Sequence, residues 1–81
     1  MAEETKKVFL TFPQKIIKEP IVYTIGHKYQ VITNIRGASV TDEVGLVALE
    51  LVGDPVEIDK AIDYMREAGV KVEPMEAGGS T

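Results

Sequence analysis

Residues 53–69, GDPVEIDKAIDYMREAG, carry the clearest structural instructions in the chain. Gly53 interrupts an apolar, β-branched run, and Asp54 follows with the side-chain acceptor that a helix N-cap requires. Pro55 suits the first helical position, where its missing N–H costs nothing, and Glu57 at N3 completes a capping-box-like pattern. Ile58, Ala61, Ile62 and Met65 recur at i, i+3, i+4 and i+7, an apolar stripe along one helical face. Gly69 supplies the stop. The stretch predicts an amphipathic helix that must bury one face against the rest of the chain.

The flanking sequence supplies a sheet for it. Val44 to Val52 alternates, with Gly45, Val47, Leu49 and Leu51 on one side and Val44, Leu46, Ala48 and Glu50 on the other. Val31 to Val40 alternates too: Val31, Thr33 and Ile35 face one way, Ile32, Asn34 and Arg36 the other, and Gly37 marks a bulge or a close backbone approach. The short link Thr41-Asp42-Glu43 makes these two strands an antiparallel hairpin. Lys7 to Phe12 reads as an earlier strand with Val8, Leu10 and Phe12 on one face, ended by Pro13. Pro20 opens a shorter helix carrying Val22, Ile25 and Tyr29, and Val70, Val72 and Pro74 belong to a last short strand.

The order β-α-β-β-α-β predicts an α+β fold, a ferredoxin-like sandwich with a four-stranded antiparallel sheet in the order 4-1-3-2 and both helices on one face. The expected helix-facing core is Val8, Leu10, Phe12, Val22, Ile25, Tyr29, Val31, Ile35, Val47, Leu49, Leu51, Ile58, Ala61, Ile62, Met65, Val70 and Val72. Residues 1–5 and 76–81 are expected to be loose ends around a domain spanning residues 6–75.

Composition narrows the functions available. At 81 residues and 44% hydrophobic the chain is one small folded domain whose single core is thin, so self-association is the natural source of further stability. Without cysteine there are no disulfides, thiolate zinc sites or cysteine-ligated iron–sulfur clusters, and one histidine does not make a metal site. No metal or cofactor is expected. A net charge of −4 argues against nucleic acid and anionic membrane surfaces as partners, although residues 1–36 carry +3 and residues 37–81 carry −7. No apolar run is long enough to cross a bilayer, and Met1-Ala2-Glu3-Glu4-Thr5 lacks the layout of a signal peptide, so the expected location is cytoplasmic.

Catalytic constellations are poor. The serines, Ser39 and Ser80, have no evident base, and His27 lies off the apolar stripe of its helix and is expected to be solvated. Asp59, Asp63 and Glu67 share a helix face with Lys60 and Arg66 interleaved, the pattern of a solvated surface. An RNA-recognition sheet needs aromatics on its central strands, and residues 43–52 contain none. Thr11-Phe12-Pro13-Gln14-Lys15 does not resemble the anion loop of an acylphosphatase-like enzyme. No catalytic residue is assigned.

The sheet face away from the helices is more informative. It is expected to display Phe9, Thr11, Asn34, Arg36, Ala38, Val44, Leu46, Ala48 and Glu50, more apolar than a face bathed in water. Phe9, Val44, Leu46 and Ala48 are therefore expected in a homodimer interface.

Val31-Ile32-Thr33-Asn34-Ile35-Arg36-Gly37-Ala38 resembles the signature of the NIL domain, named for an Asn-Ile-Leu tripeptide. The likeness extends to Phe9-Leu10-Thr11-Phe12, Pro20-Ile21-Val22, Gly45, Leu49-Glu50-Leu51, Gly53-Asp54, Ile58-Asp59-Lys60-Ala61 and Gly69-Val70-Lys71-Val72-Glu73, about residues 7–75. The resemblance implies a regulatory domain of the ATP-binding subunits of methionine importers, which binds methionine at a domain interface. NIL domains also occur fused to ferredoxin-type iron–sulfur modules, and Arg36 in place of leucine together with the short Val40–Gly45 hairpin is similar to that branch.

The expected ligand segment is Asn34, Ile35, Arg36, Gly37 and Ala38. The Asn34 amide offers a donor and an acceptor to an amino acid, Arg36 offers a bidentate partner for its carboxylate, and Gly37 lets a ligand come close. The alternative is an interaction module that binds no metabolite and docks a transporter ATPase or an iron–sulfur protein.

Overall fold

The computed structural model describes residues 3–16 and 19–75, so the expected looseness of residues 1–2 and 76–81 lies outside the described residues. β1 (Glu4–Pro13) is followed by a single 3-10 turn, Gln14–Ile16, and then by α1 (Ile21–Lys28), β2 (Val31–Val40), β3 (Val44–Gly53), α2 (Pro55–Glu67) and β4 (Lys71–Pro74). The strands lie in the order β2-β3-β1-β4, every neighbouring pair antiparallel, which is the ferredoxin-like α+β arrangement the sequence predicts.

β1 begins three residues earlier than the apolar alternation indicates. Glu4 and Thr5, expected in a loose terminus, pair with Gly53 and Val52. Their side chains are exposed, so hydropathy carries no trace of a pairing made by the backbone alone. The hairpin between β2 and β3 closes on Thr41, whose Oγ1 accepts from the N–H groups of Glu43 and Val44 at 3.3 and 3.1 Å.

The ladder of this hairpin steps from Ile35↔Leu49 to Gly37↔Ala48, leaving Arg36 as the extra residue of a β-bulge. The irregularity thus falls one residue before Gly37. It also reverses the alternation beyond it. Ala38 now opposes Val47 and Val40 opposes Gly45 in the helix-side row, while Gly37 and Ser39 join the open face. Ala38 is therefore not an open-face residue as the uninterrupted alternation predicts.

The core comprises Val8, Leu10, Phe12, Ile21, Ile25, Val31, Leu49, Leu51, Ile58, Ala61, Ile62, Met65, Val70 and Val72. Ile21 enters it unanticipated, because α1 begins just after Pro20 and places Ile21 and Ile25 one turn apart on the inward side. Val22, Tyr29 and Val47 are half-buried against this cluster. Ile35, expected inside, is 58% exposed although it opposes the fully buried Leu49. The physical reason is coverage. α1 has eight residues, about 12 Å of helix, and only Val31 of the edge strand β2 is buried.

α2 forms as its sequence dictates, with one amendment. The Asp54 Oδ1 accepts from the Val56 N–H at 2.9 Å, the expected N-cap. Glu57 does not turn back to close a capping box. Its Oε1 accepts from the Gln30 N–H at 2.9 Å and its Oε2 lies 3.4 Å from the Lys60 Nζ, which ties the start of α2 to the link between α1 and β2. At the other end Gly69, φ +103°, closes a Schellman motif: Val70 N–H donates to Met65 O and Gly69 N–H to Arg66 O.

Gly53 meets the same link from the sheet. A Cβ there would stand 2.8 Å from the Gln30 carbonyl oxygen, a backbone atom that cannot swing aside. Gly53→Ala is expected to cost about 1–3 kcal/mol in urea denaturation, whereas Gly37→Ala, with nothing within 4 Å, should stay within about 0.5 kcal/mol of the parent. Equal stabilities for parent and Gly53→Ala would refute the close approach.

The Gln30 N–H, and with it the Lys60 ammonium, holds the Glu57 carboxyl below its ordinary value of 4.5. The folded form therefore gives up this proton more readily than the unfolded chain does. The stabilisation is complete above pH 4.5 and is lost as the pH falls through the lowered folded value. Glu57→Gln should flatten the acid limb of a stability-against-pH profile, and an unchanged limb would count against the contact.

Candidate functional site

The open face is assembled from the ladder itself, because directly opposed residues share a face. Its rows are Phe9↔Ala48, Thr11↔Leu46 and Pro13↔Val44 between β1 and β3, and Asn34↔Glu50, Gly37↔Ala48 and Ser39↔Leu46 between β3 and β2. All four expected interface residues, Phe9, Val44, Leu46 and Ala48, fall on it together. Phe9 and Leu46 are the most prominent, at 47% and 48% exposure. Ile32, 60% exposed, extends the apolar surface towards the edge strand opposite Val52. Phe9, Gly37, Ser39, Leu46, Ala48 and Glu73 line a shallow open depression of about 390 Å³.

The polar part of this face centres on a residue to which sequence reasoning gave no role. The Asn34 amide donates to the Glu50 Oε1 at 3.5 Å, and the Arg36 guanidinium lies 3.8 Å from the same oxygen. The Arg36 side chain is 61% exposed and that of Glu50 only 16%. The bulge supplies the local reason: as the residue outside the ladder, Arg36 reaches Glu50 beside Asn34. Lys7 of β1 stands opposite Glu50 on the other side. The one available signal was an acid, Glu50, at the end of the otherwise apolar open row Val44, Leu46 and Ala48.

Of the expected ligand segment, the structure brings Asn34, Arg36 and Gly37 to one face. Ile35 and Ala38 belong to the helix-side row, although Ala38 still borders the depression beside Gly37. The combination left is a cation, an anion and an amide beside an apolar floor. It suits recognition of a small molecule bearing both charges, and it offers no nucleophile–base pair.

His27 is exposed and its ring lies against Tyr23 in a tilted arrangement, with ring centroids 4.3 Å apart. It lines a wider open cleft of about 650 Å³ with Gly26, Gln30, Gly53 and Asp54, at the sheet end remote from Arg36. Among the described residues no cluster of three or more histidines or acids is arranged to hold a metal, and no helix is long and apolar enough to cross a membrane.

The fold and this face define a ferredoxin-like α+β domain with one uncovered, partly apolar sheet surface. The chain belongs to the NIL domain family, whose sequence pattern matches residues 6–74. Methionine import ATP-binding protein MetN 1 from two Listeria monocytogenes strains, serotype 4b and serovar 1/2a, is 33% identical over 75 residues. The alignment covers 88% of this chain and 22% of each relative, so the chain spans about a fifth of the length of the curated relatives it matches. The C-terminal domain of an ABC transporter ATP-binding protein from Enterococcus faecalis superimposes with a TM-score of 0.77 at 28% identity, covering 88% of this chain and 83% of that one.

Proposed function

We propose that this NIL domain is a regulatory, non-catalytic unit that senses methionine or a related amino acid at an interface between two copies, in the cytoplasmic setting of a transporter ATPase. The single observation carrying this reading is the juxtaposition on one open face of the Asn34–Arg36–Glu50 cluster and the Phe9–Leu46–Ala48 floor. The first offers opposite charges to an amino acid's head group, the second an apolar surface to its side chain. Similarity to methionine import ATP-binding proteins supports methionine as the first ligand to try.

Calorimetric titration with L-methionine tests the site. Asn34→Ala removes a hydrogen-bonding partner and is expected to weaken binding by roughly ten- to a hundred-fold. His27→Ala, at the remote cleft, should leave affinity unchanged. Equal affinity for the parent and a folded Asn34→Ala variant would displace the site from β2. If neither bound any sulfur amino acid, the face would serve instead for docking a protein partner.

The interface is tested separately. Sedimentation equilibrium at tens of micromolar, roughly the range of a weak homodimer, should show self-association of the parent. Leu46→Lys, which puts a charge at the centre of the apolar floor, should shift the protein to single chains without unfolding it. A parent that sediments only as single chains would remove the dimer from the proposal.

A further inference from the structure

The sheet has a second uncovered surface, on the helix side and so opposite the proposed amino-acid site. Past Val31, the helix-side row of β2 runs through Ile35, Ala38 and Val40, which oppose Leu49, Val47 and Gly45 of β3. The eight residues of α1 leave this stretch bare: Ile35 is exposed and Val40 is 67% exposed. Val22 and the exposed Tyr23 of α1 form the facing wall. Between wall and row lies a groove of about 170 Å³, floored by Val47 and by the core residues Phe12 and Ile21. Glu19 stands on its rim, and Asp42 and Glu43 turn the hairpin where Val40 and Gly45 end the row. All three acids are exposed, and none takes part in an ion pair among the described residues.

We propose that this groove docks an amphipathic helix of a partner protein, about three turns long, apolar on the face it buries and carrying lysine or arginine along its flanks.

The shape of the surface selects a helix. The bare row consists of side chains standing off a strand already paired to β3, so an element lying over it must satisfy its own backbone, as a helix does. A strand would add instead along the outer edge of β2, where the Arg36 bulge interrupts the template. Ile35 to Val40 spans roughly 17 Å of strand, which about eleven residues of helix match. Laid there, the helix would continue the layer that α1 begins. Charge selects its flanks. Glu19, Asp42 and Glu43 put uncompensated negative charge at the margin, which favours a basic partner and repels an acidic one. A second copy has no such helix to offer, because the apolar sides of α1 and α2 are buried in their own core.

The test is fluorescence anisotropy on the full chain with two labelled peptides of about fourteen residues, both with leucine at helical spacing. One carries lysine on its flanks and the other glutamate. The lysine peptide should bind the parent at least about ten-fold more tightly than the glutamate peptide, and should gain helical circular dichroism as it binds. Val40→Lys, at an exposed position that tolerates a polar side chain, should weaken the lysine peptide by roughly ten-fold or more. Glu19→Lys, which reverses a rim charge, should weaken it too. Val56→Lys adds the same charge as Val40→Lys at an exposed valine of α2, just past the Gly53↔Val31 end of the sheet, and should leave the affinity unchanged. Equal weakening by Val40→Lys and Val56→Lys would show bulk attraction to an acidic chain and overturn the groove. Equal binding of the two peptides, or binding of neither at millimolar concentration, would overturn it as well. Self-association of the parent that Val40→Lys abolished would give the groove to a second copy and refute the partner helix. None of these readouts depends on amino-acid binding.

Discussion

Ten consecutive pairs, from Glu4↔Gly53 to Pro13↔Val44, zip β1 against β3, and the rest of the structure hangs from that ladder. It joins segments some forty residues apart, so it carries a larger loop-closure cost than the local β2–β3 hairpin. β2 is attached to the sheet through β3 and β4 through β1, each along one side only. The inward residues of the ladder, Val8, Leu10, Phe12, Leu49 and Leu51, are the floor on which Ile25 of α1 and Ile58 and Met65 of α2 pack. Its outward residues, Phe9, Leu46 and Ala48, have no helix above them. One ladder therefore defines both the core and the surface left over for function.

The bulge at Arg36 divides the edge strand into two halves with different duties. Before it, Val31 contributes to the core and Asn34 faces out beside Glu50. Beyond it, the alternation is reversed, so Gly37 and Ser39 fall in the open-face row while Ala38 opposes Val47 on the other side. A regular strand would have offered a bulkier rim and held Arg36 in the ladder. Bulges also disturb an edge that would otherwise template indiscriminate pairing. The same irregularity protects the edge and composes the site.

The sequence was most legible where a single local rule had no competitor. The Asp54-Pro55 start, the Ile58–Met65 stripe and the Gly69 stop each state their structure outright, and the hairpin follows from two alternating runs and a short polar link. Legibility failed where a residue's fate was set from outside its own element. Ile35 has the pattern of a core residue and is exposed because a short helix does not reach it. Ile21 lay beside the stripe that periodicity favoured and is buried because the helix begins after Pro20. Glu57 satisfied a capping-box pattern, yet an unpaired backbone N–H at Gln30 lay within reach and took its carboxylate. At the candidate site, Asn34 and Arg36 were readable as polar residues on one face, but their convergence on Glu50 depends on strand register, which no local pattern states.

On the proposed reading, the placement of the site explains how so small a domain conveys a signal. A ligand that touched one copy alone would stabilise that copy and shift no equilibrium between copies. The Asn34–Arg36–Glu50 cluster lies on the edge strand and its neighbour, within the face whose apolar floor is the proposed contact between copies. A ligand seated there is bordered by the partner as well, so its binding free energy adds to that of association, and occupancy favours the pair by mass action. The thin core and the uncovered apolar face then belong to one arrangement. On the proposed reading, the domain would hold its fold through the β1–β3 ladder and leave association weak enough for a metabolite to decide it. A face covered permanently by a third helix would make a more stable monomer with nothing left to report.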